Sequence, residues 1–556
     1  MNGLYFVVDP PVLAADPNRT DIACFVGYIA RRAKDGRATQ APVDMRPAPV
    51  PLVRWFLEQR LVAGDDDVRL QTLLDLPVPI DTWDVFDHLF AWEARPVDAR
   101  GRVADTYLGA AVRSFFTQGG RKCYVVRVGD PWSYLSDMAI GGAGITGGSR
   151  RALQRALRIA HLLRLIPGYN LPFEVAAAID AVDPSLVPTP LAPASPLDPG
   201  TWRGIAALLA APETSFLCLP DLCDAASLEP AIIEQPLPPP PPEQFVECES
   251  HSEGMPTRRS GRPLTAPCCD AFGYDVWSRA LQHVRDFVAQ WQREVQVVAA
   301  IPLPGPGTSI GDEVMPRLNA EALGSAFVQL AYPWPRSKSS TRLPEQLESP
   351  DGILTGVLAR NALARGAFAS AAGARLIDVI EVWPKLSGHD TRVPNRASAG
   401  ERDLSPRPVE RVSLLGQSAT GMQLLSDVTT SSDPSYRLAS INRLVSLLVR
   451  AARRLGEELM FESSGEALWV KVTARMNDLM MALWQEGALS GKSAQDAFQV
   501  RCNRSTMSQN DMDNGRVVAS IVFTAASSIE VIAIVLALSE GGQVSLITRP
   551  ELGAAA

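Results

Sequence analysis

The chain has 556 residues, 46% of them hydrophobic and 21% charged, with a formal net charge of −8. That length calls for roughly two to four domains, and the apolar share supports a large core. The acidic balance excludes a globally basic nucleic-acid surface; aromatics are 7%, and no run interleaves Arg with aromatic residues as base stacking requires. Eight scattered cysteines are too sparse for a disulfide scaffold and fit synthesis in a reducing cytoplasm.

Leu4, Tyr5, Phe6, Val7 and Val8 form a short apolar strand ended by Pro10-Pro11, with no basic region before it, so no targeting segment is expected. The strand stands apart from the next apolar run, Ile22 to Ile29. An isolated strand must pair with its own sheet or with another chain. Residues 22–128 read as an α/β unit. Val78-Pro79-Ile80 is a strand, Trp83 to Phe90 and Tyr107 to Phe116 are helices, and Gly119-Gly120 stop the second helix before the strand Arg121 to Val128.

Gly142-x-Gly144-x-x-Gly147 has the letters of a dinucleotide fingerprint and opens a predicted helix, Ser149 to Leu165. No strand leads directly into it, and no acidic residue follows at the distance a ribose needs. We read a loop and assign no cofactor. Residues 183–200 are Pro-rich, and Pro236 to Pro242 contains six prolines, so 226–272 is expected to be an exposed insertion. Ser215 to Pro220, Val295 to Ile301 and Gly324 to Tyr332 are strand-like, and Trp277 to Trp291 is an amphipathic helix. Pro394 to Pro408 reads as a linker. Cys248, His251, Cys268 and Cys269 do not have a common zinc spacing. Asp511 to Gly515 lacks the oxygen ligands of a calcium loop, because Met512 and Ile521 occupy ligand positions. None of the five histidines lies in a catalytic motif, so no metal, cofactor or catalytic residue is assigned.

Near the C-terminus, Leu444, Leu448, Ala452, Leu455 and Leu459 make one stripe of a helix over Ser440 to Met460, with Arg443, Arg450, Arg453 and Arg454 off it. A second helix carries Leu468, Val472, Met476, Leu479, Met480 and Leu483 and stops at Gly487. Asn514-Gly515 precedes the alternating run Val517 to Phe523, and Ile529 to Leu538 is a further strand. Val517 to Leu538 is long enough to span a membrane, but its Val, Ile, Thr and Ser content and the small-residue break at Ala525 to Ser528 favour two buried strands.

Three blocks, in order, resemble phage tail sheath proteins, a family that includes the sheaths of R-type pyocins and of extracellular contractile injection systems. The first is Val112-Arg113-Ser114-Phe115-Phe116-Thr117-Gln118-Gly119-Gly120 into Cys123-Tyr124-Val125-Val126-Arg127-Val128. The second is Tyr332-Pro333-Trp334 followed by Gly356, Ala359 and Arg360. The third and longest comprises Phe461-Glu462, Leu468-Trp469, Leu483-Trp484 to Leu489, Phe498-Gln499-Val500-Arg501-Cys502-Asn503, Thr506-Met507-Ser508-Gln509 and Asp513-Asn514-Gly515-Arg516. The N-terminus departs from the family's usual Pro-Gly-Val-Tyr opening.

The resemblance implies a multi-domain α/β (α+β mixed) protein. It would have an N-terminal arm over 1–20, an inner core built from 21–130 and 431–523, an inserted outer domain over 131–430 and a C-terminal arm over 524–556. It implies a non-enzymatic subunit that stacks as hexameric rings around an inner tube and contracts, with baseplate and cap proteins as further partners. Neither direct nucleic-acid contact nor membrane insertion is implied. The particle would assemble in the bacterial cytoplasm and leave on lysis. A non-contracting cap or baseplate-adjacent part is the alternative. Leu4, Tyr5, Phe6, Val7, Val8, Ile529, Val531, Ile532, Ile534 and Val535 are the expected inter-subunit strand residues. Arg450, Arg453, Arg454, Lys471 and Arg475 are the expected tube-facing candidates, and the sequence does not choose between the two helices that carry them.

Overall fold

The structure is a computed structural model and describes residues 19–64, 66–135, 147–180, 182–230, 264–320, 322–391, 407–459, 465–526, 531–538 and 544–547. Leu4 to Val8, Gly142, Gly144, Cys248, His251, the proline run 236–242 and Ile529 lie outside the described residues.

Eight strands form the main sheet: β1 (Ala23–Tyr28), β2 (Val78–Ile80), β3 (Cys123–Gly129), β4 (Phe216–Cys218), β5 (Gln296–Ala300), β6 (Val328–Tyr332), β7 (Ser413–Ser418) and β8 (Gly421–Leu424). Their order is β8-β7-β6-β5-β4-β1-β3-β2. The six central strands run parallel, and β2 and β8 close the two edges antiparallel. Parallel strands are covered on both faces, so each reads as an unbroken apolar run. The pleat still sorts the side chains. Cys24 and Val26 of β1, Tyr124 and Val126 of β3 and Val297 and Ala299 of β5 enter one core. Phe25, Val125 and Val298 enter the other.

Helices α1 (Tyr107–Gln118), α2 (Gly147–Ala160), α3 (Ala271–Trp291) and α4 (Pro350–Arg365) cover the sheet. The side chains of α3 fall in the first core, while α4 and most of α1 fall in the second. Gly119 ends α1 at φ 107°, a left-handed conformation that a side chain resists, and the chain turns at once into β3. Gly356 of the second sheath-like block and Gly352, one turn before it, have a packing role. A Cβ on Gly352 would lie 2.5 Å from the backbone of Ala111, and one on Gly356 would lie 2.7 Å from the Phe115 carbonyl. These absent side chains let α4 pack against α1.

Two further helices, α5 (Ala439–Leu459) and α6 (Glu466–Gln485), join an antiparallel sheet of β9 (Phe498–Arg501), β10 (Val517–Thr524), β11 (Val531–Leu538) and β12 (Val544–Ile547). The buried residues of their core run from Ile441 to Ala525, with Phe368 of the earlier chain packed against it. The expected inner core joined 21–130 to 431–523; among the described residues, β1 is hydrogen-bonded on one side to β3 and on the other to β4. Among the described residues, those before Ala439 build one doubly wound body, and those from Ala439 onward build a second, smaller unit. Local periodicity finds strands but cannot rank their partners.

The close approach of α1 and α4 gives a first prediction. Gly356→Ala should destabilise the chain by about 1–3 kcal/mol, because the added methyl meets backbone that cannot rotate away. Denaturant unfolding monitored by circular dichroism measures it.

Buried carboxyls give a second. Asp221 is fully buried; its Oδ2 accepts the Tyr28 amide at 2.7 Å, and Arg95 lies near. Burial outweighs both and pushes its pKa up to about 7. Glu348, bonded to the Ser114 hydroxyl at 2.6 Å, is likewise pushed up to about 7 by burial. A carboxyl whose pKa is raised by folding holds its proton more tightly in the folded chain. Its stabilising contribution is therefore complete below the ordinary carboxylate range and is lost as pH rises through about 7. Asp221→Asn should shrink the gain in denaturation midpoint seen between about pH 8 and pH 5.5, the window set by the raised pKa.

Candidate functional site

The features available for function are surfaces, and the first is the joint between the two units. Helix α5 is amphipathic, and Arg443, Arg450 and Arg453 on its polar side turn toward the large unit. Arg443 is buried and forms an ion pair with Asp427, Nη2 to Oδ2 at 2.7 Å and Nη1 to Oδ1 at 3.0 Å. Asp427 also accepts the Gln329 amide at 3.0 Å and the Ala371 backbone N–H at 2.8 Å, while the Arg443 Nε donates to the Ala367 carbonyl at 3.0 Å. Burial would raise the Asp427 carboxyl, yet the Arg443 charge and these bonds overcome it and hold the pKa below the ordinary value.

Farther along α5, Arg450 donates to the carbonyls of Arg19 at 2.6 Å and Thr214 at 2.7 Å. Arg453 pairs with the buried carboxylate of Glu294. At the helix start, Asn442 accepts from Arg293 at 3.1 Å. Arg450 and Arg453, two of the expected tube-facing candidates, hold the small unit on the N-terminal ends of β1, β4 and β5 in this chain. Arg454 is half-buried one position on. Lys471 and Arg475 stand exposed on the outer face of α6, beside Val470 at 69% exposure. Asp427 and Glu294 were not singled out from the sequence, which carries no pattern linking either acid to an arginine on α5.

The second surface is the small sheet. Val531, Ile532, Ile534 and Val535 were expected to reach another subunit. In this chain their backbones pair with Thr524, Phe523, Ile521 and Ser520 of β10, in a ladder that runs the full length of β11. Of the expected break at Ala525 to Ser528, the last two residues lie outside the described residues. Among the described residues, β9 and β12 each have one strand neighbour, so both edges of this sheet offer unpaired backbone groups. The Asn514-Gly515 turn is present too, with Gly515 at φ 65°, but it follows a short helix, Gln509–Asp513, which the sequence did not suggest. No helix among the described residues is long and apolar enough to cross a membrane.

The joint yields a third prediction. Asp427→Ala leaves the Arg443 guanidinium buried without its counter-charge and should cost about 3–5 kcal/mol. Asp427→Leu combined with Arg443→Met should cost less than either single change, which a double-mutant cycle on unfolding free energies would read.

No protein-family model and no curated protein matches this chain. Solved structures do resemble it. The contracted helical sheath of the anti-feeding prophage is 16% identical over 95% of this chain and 97% of its own, with a TM-score of 0.47. The contracted sheath of the extracellular contractile injection system PVC is 15% identical over 96% of both chains, with a TM-score of 0.47. A sheath tail protein from Desulfitobacterium hafniense is 11% identical over 97% of this chain and 100% of its own, with a TM-score of 0.43. Along nearly its whole length, this chain is similar to the sheath proteins of contractile particles.

Proposed function

We propose that this chain is a structural, non-enzymatic subunit of a contractile sheath, polymerising as stacked hexameric rings around an inner tube and shortening to drive that tube into a target. The observation that carries the reading is the ordered set of sheath-like motifs from Leu468-Trp469 to Asp513-Asn514-Gly515-Arg516. That set falls within the one small unit that has its own core and two open sheet edges. An open edge accepts an extended strand through backbone hydrogen bonds without a shaped pocket. Leu4 to Val8 of a neighbouring copy is the strand we assign to it. Such a strand forms roughly three or four hydrogen bonds, each worth about 0.5–1.5 kcal/mol net. One tether is weak, while a lattice of them holds subunits together as they slide. Lys471 and Arg475, exposed on α6, are the residues we assign to the tube-facing side. The energy of shortening would come from apolar surface newly buried between subunits.

Electron microscopy of the chain co-expressed with its tube protein tests this reading. Long sixfold cylinders are expected, and removal of residues 1–10 should leave folded monomers that build none. Protein that stays monomeric or dimeric with the tube present refutes the sheath reading. A truncated protein that still forms cylinders refutes the tether alone.

A further inference from the structure

The joint between the units is polar on both sides, and beside the pairs already described four of its buried polar atoms are left over. Glu294 Oε2, Gln296 Oε1, Ser446 Oγ and Arg450 Nε are buried, and none has a hydrogen-bond partner among the described residues. Their remaining polar atoms are engaged. The other Glu294 oxygen holds Arg453, the Gln296 amide nitrogen donates to Gln329, and the Arg450 terminal nitrogens hold the carbonyls of residues 19 and 214. All four residues line one crevice of about 10 Å³ between α5 and the ends of β4 and β5, together with Arg443. That is about the room one water molecule needs.

The atoms around the crevice select its occupant. A cation would face the guanidinium groups of Arg443 and Arg450. An anion would face the Glu294 carboxylate and the Gln296 carbonyl, in a space too small for a polyatomic ion. A water molecule can donate to Glu294 Oε2 and Gln296 Oε1 and accept from the Arg450 Nε–H and the Ser446 hydroxyl. Two bonds given and two received is its full complement.

We propose that this crevice is a water-binding site, and that the small unit docks on the large sheet through a hydrated polar seam. A dry seam with these atoms unpaired would carry a desolvation penalty at each of them.

Two readouts on the full chain test the site. A crystal or electron-microscopy map fine enough to show ordered water should have a peak within hydrogen-bond distance of Ser446 Oγ, Gln296 Oε1 and Arg450 Nε. Ser446→Val should fill the crevice, remove that peak and lower the melting temperature, because Glu294 and Gln296 are then left dry. Ser446→Ala should keep the peak on its three remaining partners and lower the melting temperature less. A wild-type map without the peak overturns the site. So does a Ser446→Val melting temperature at or above the wild-type value, the result expected when a methyl fills a dry void. If Ser446→Val does not fold, the wild-type map and Ser446→Ala decide.

Discussion

The pairing of Arg443 with Asp427 is the contact on which the arrangement of this molecule turns. Asp427 lies just beyond the antiparallel edge of the large sheet and gathers donors from β6, from the adjacent residues Ser370 and Ala371, and from α5. An ion pair so enclosed adds little net stability, since taking both charges out of water costs about what their attraction returns. What it confers is selectivity. An apolar helix face could slide or rotate on an apolar sheet end, whereas a bidentate guanidinium with fixed carbonyl acceptors has one seat. Breaking the pair strands a charge in a low-dielectric interior, so partial displacement of α5 is strongly disfavoured.

The remainder of the joint follows the same chemistry. Arg450 reaches backbone carbonyls at Arg19 and Thr214, beside the N-terminal ends of β1 and β4. Force applied to the small unit would therefore enter the large one through main-chain groups at the end of its parallel sheet. That sheet is backed by two cores and by the close α1–α4 contact. Tension carried from α5 into β1 and its neighbours is shared across several ladder bonds. For a subunit whose proposed task is to move against its neighbours, stiffness within each unit and a single polar seat between them are consistent properties.

Much of this was legible in the sequence. Strands β1, β3, β5, β6 and β10 and helices α1, α3, α5 and α6 announce themselves by apolar runs, periodicity and stop signals, because each buries a face defined by neighbours in sequence. The partners of those faces were not legible. The basic stripe of α5 has the pattern of a solvated helix surface, and Arg443, Arg450 and Arg453 differ from solvent-facing arginines only in what the large unit places opposite them. Glu294 and Asp427 precede these arginines by more than a dozen residues at irregular spacings, so no local rule joins them. The expected division of the chain at residue 130 rests on the same kind of local signal. Strand β1 looks the same whether its neighbour is β4 or a strand from the far end of the chain.

The hairpin of β10 and β11 constrains how copies of this chain can meet. A strand that forms a full antiparallel ladder with its own chain has its backbone groups satisfied on that side. Offering it to another subunit means first opening that ladder, with no net gain in hydrogen bonds unless the exchange is mutual. The outer edges of β9 and β12 require no such exchange. Both are four residues long, and β9 exposes Gln499 and Arg501, features that discourage indiscriminate pairing of long strands. An incoming strand must therefore be short and correctly registered, and it must bring apolar side chains to the face that packs on α5 and α6. The run Leu4 to Val8 has that length and composition.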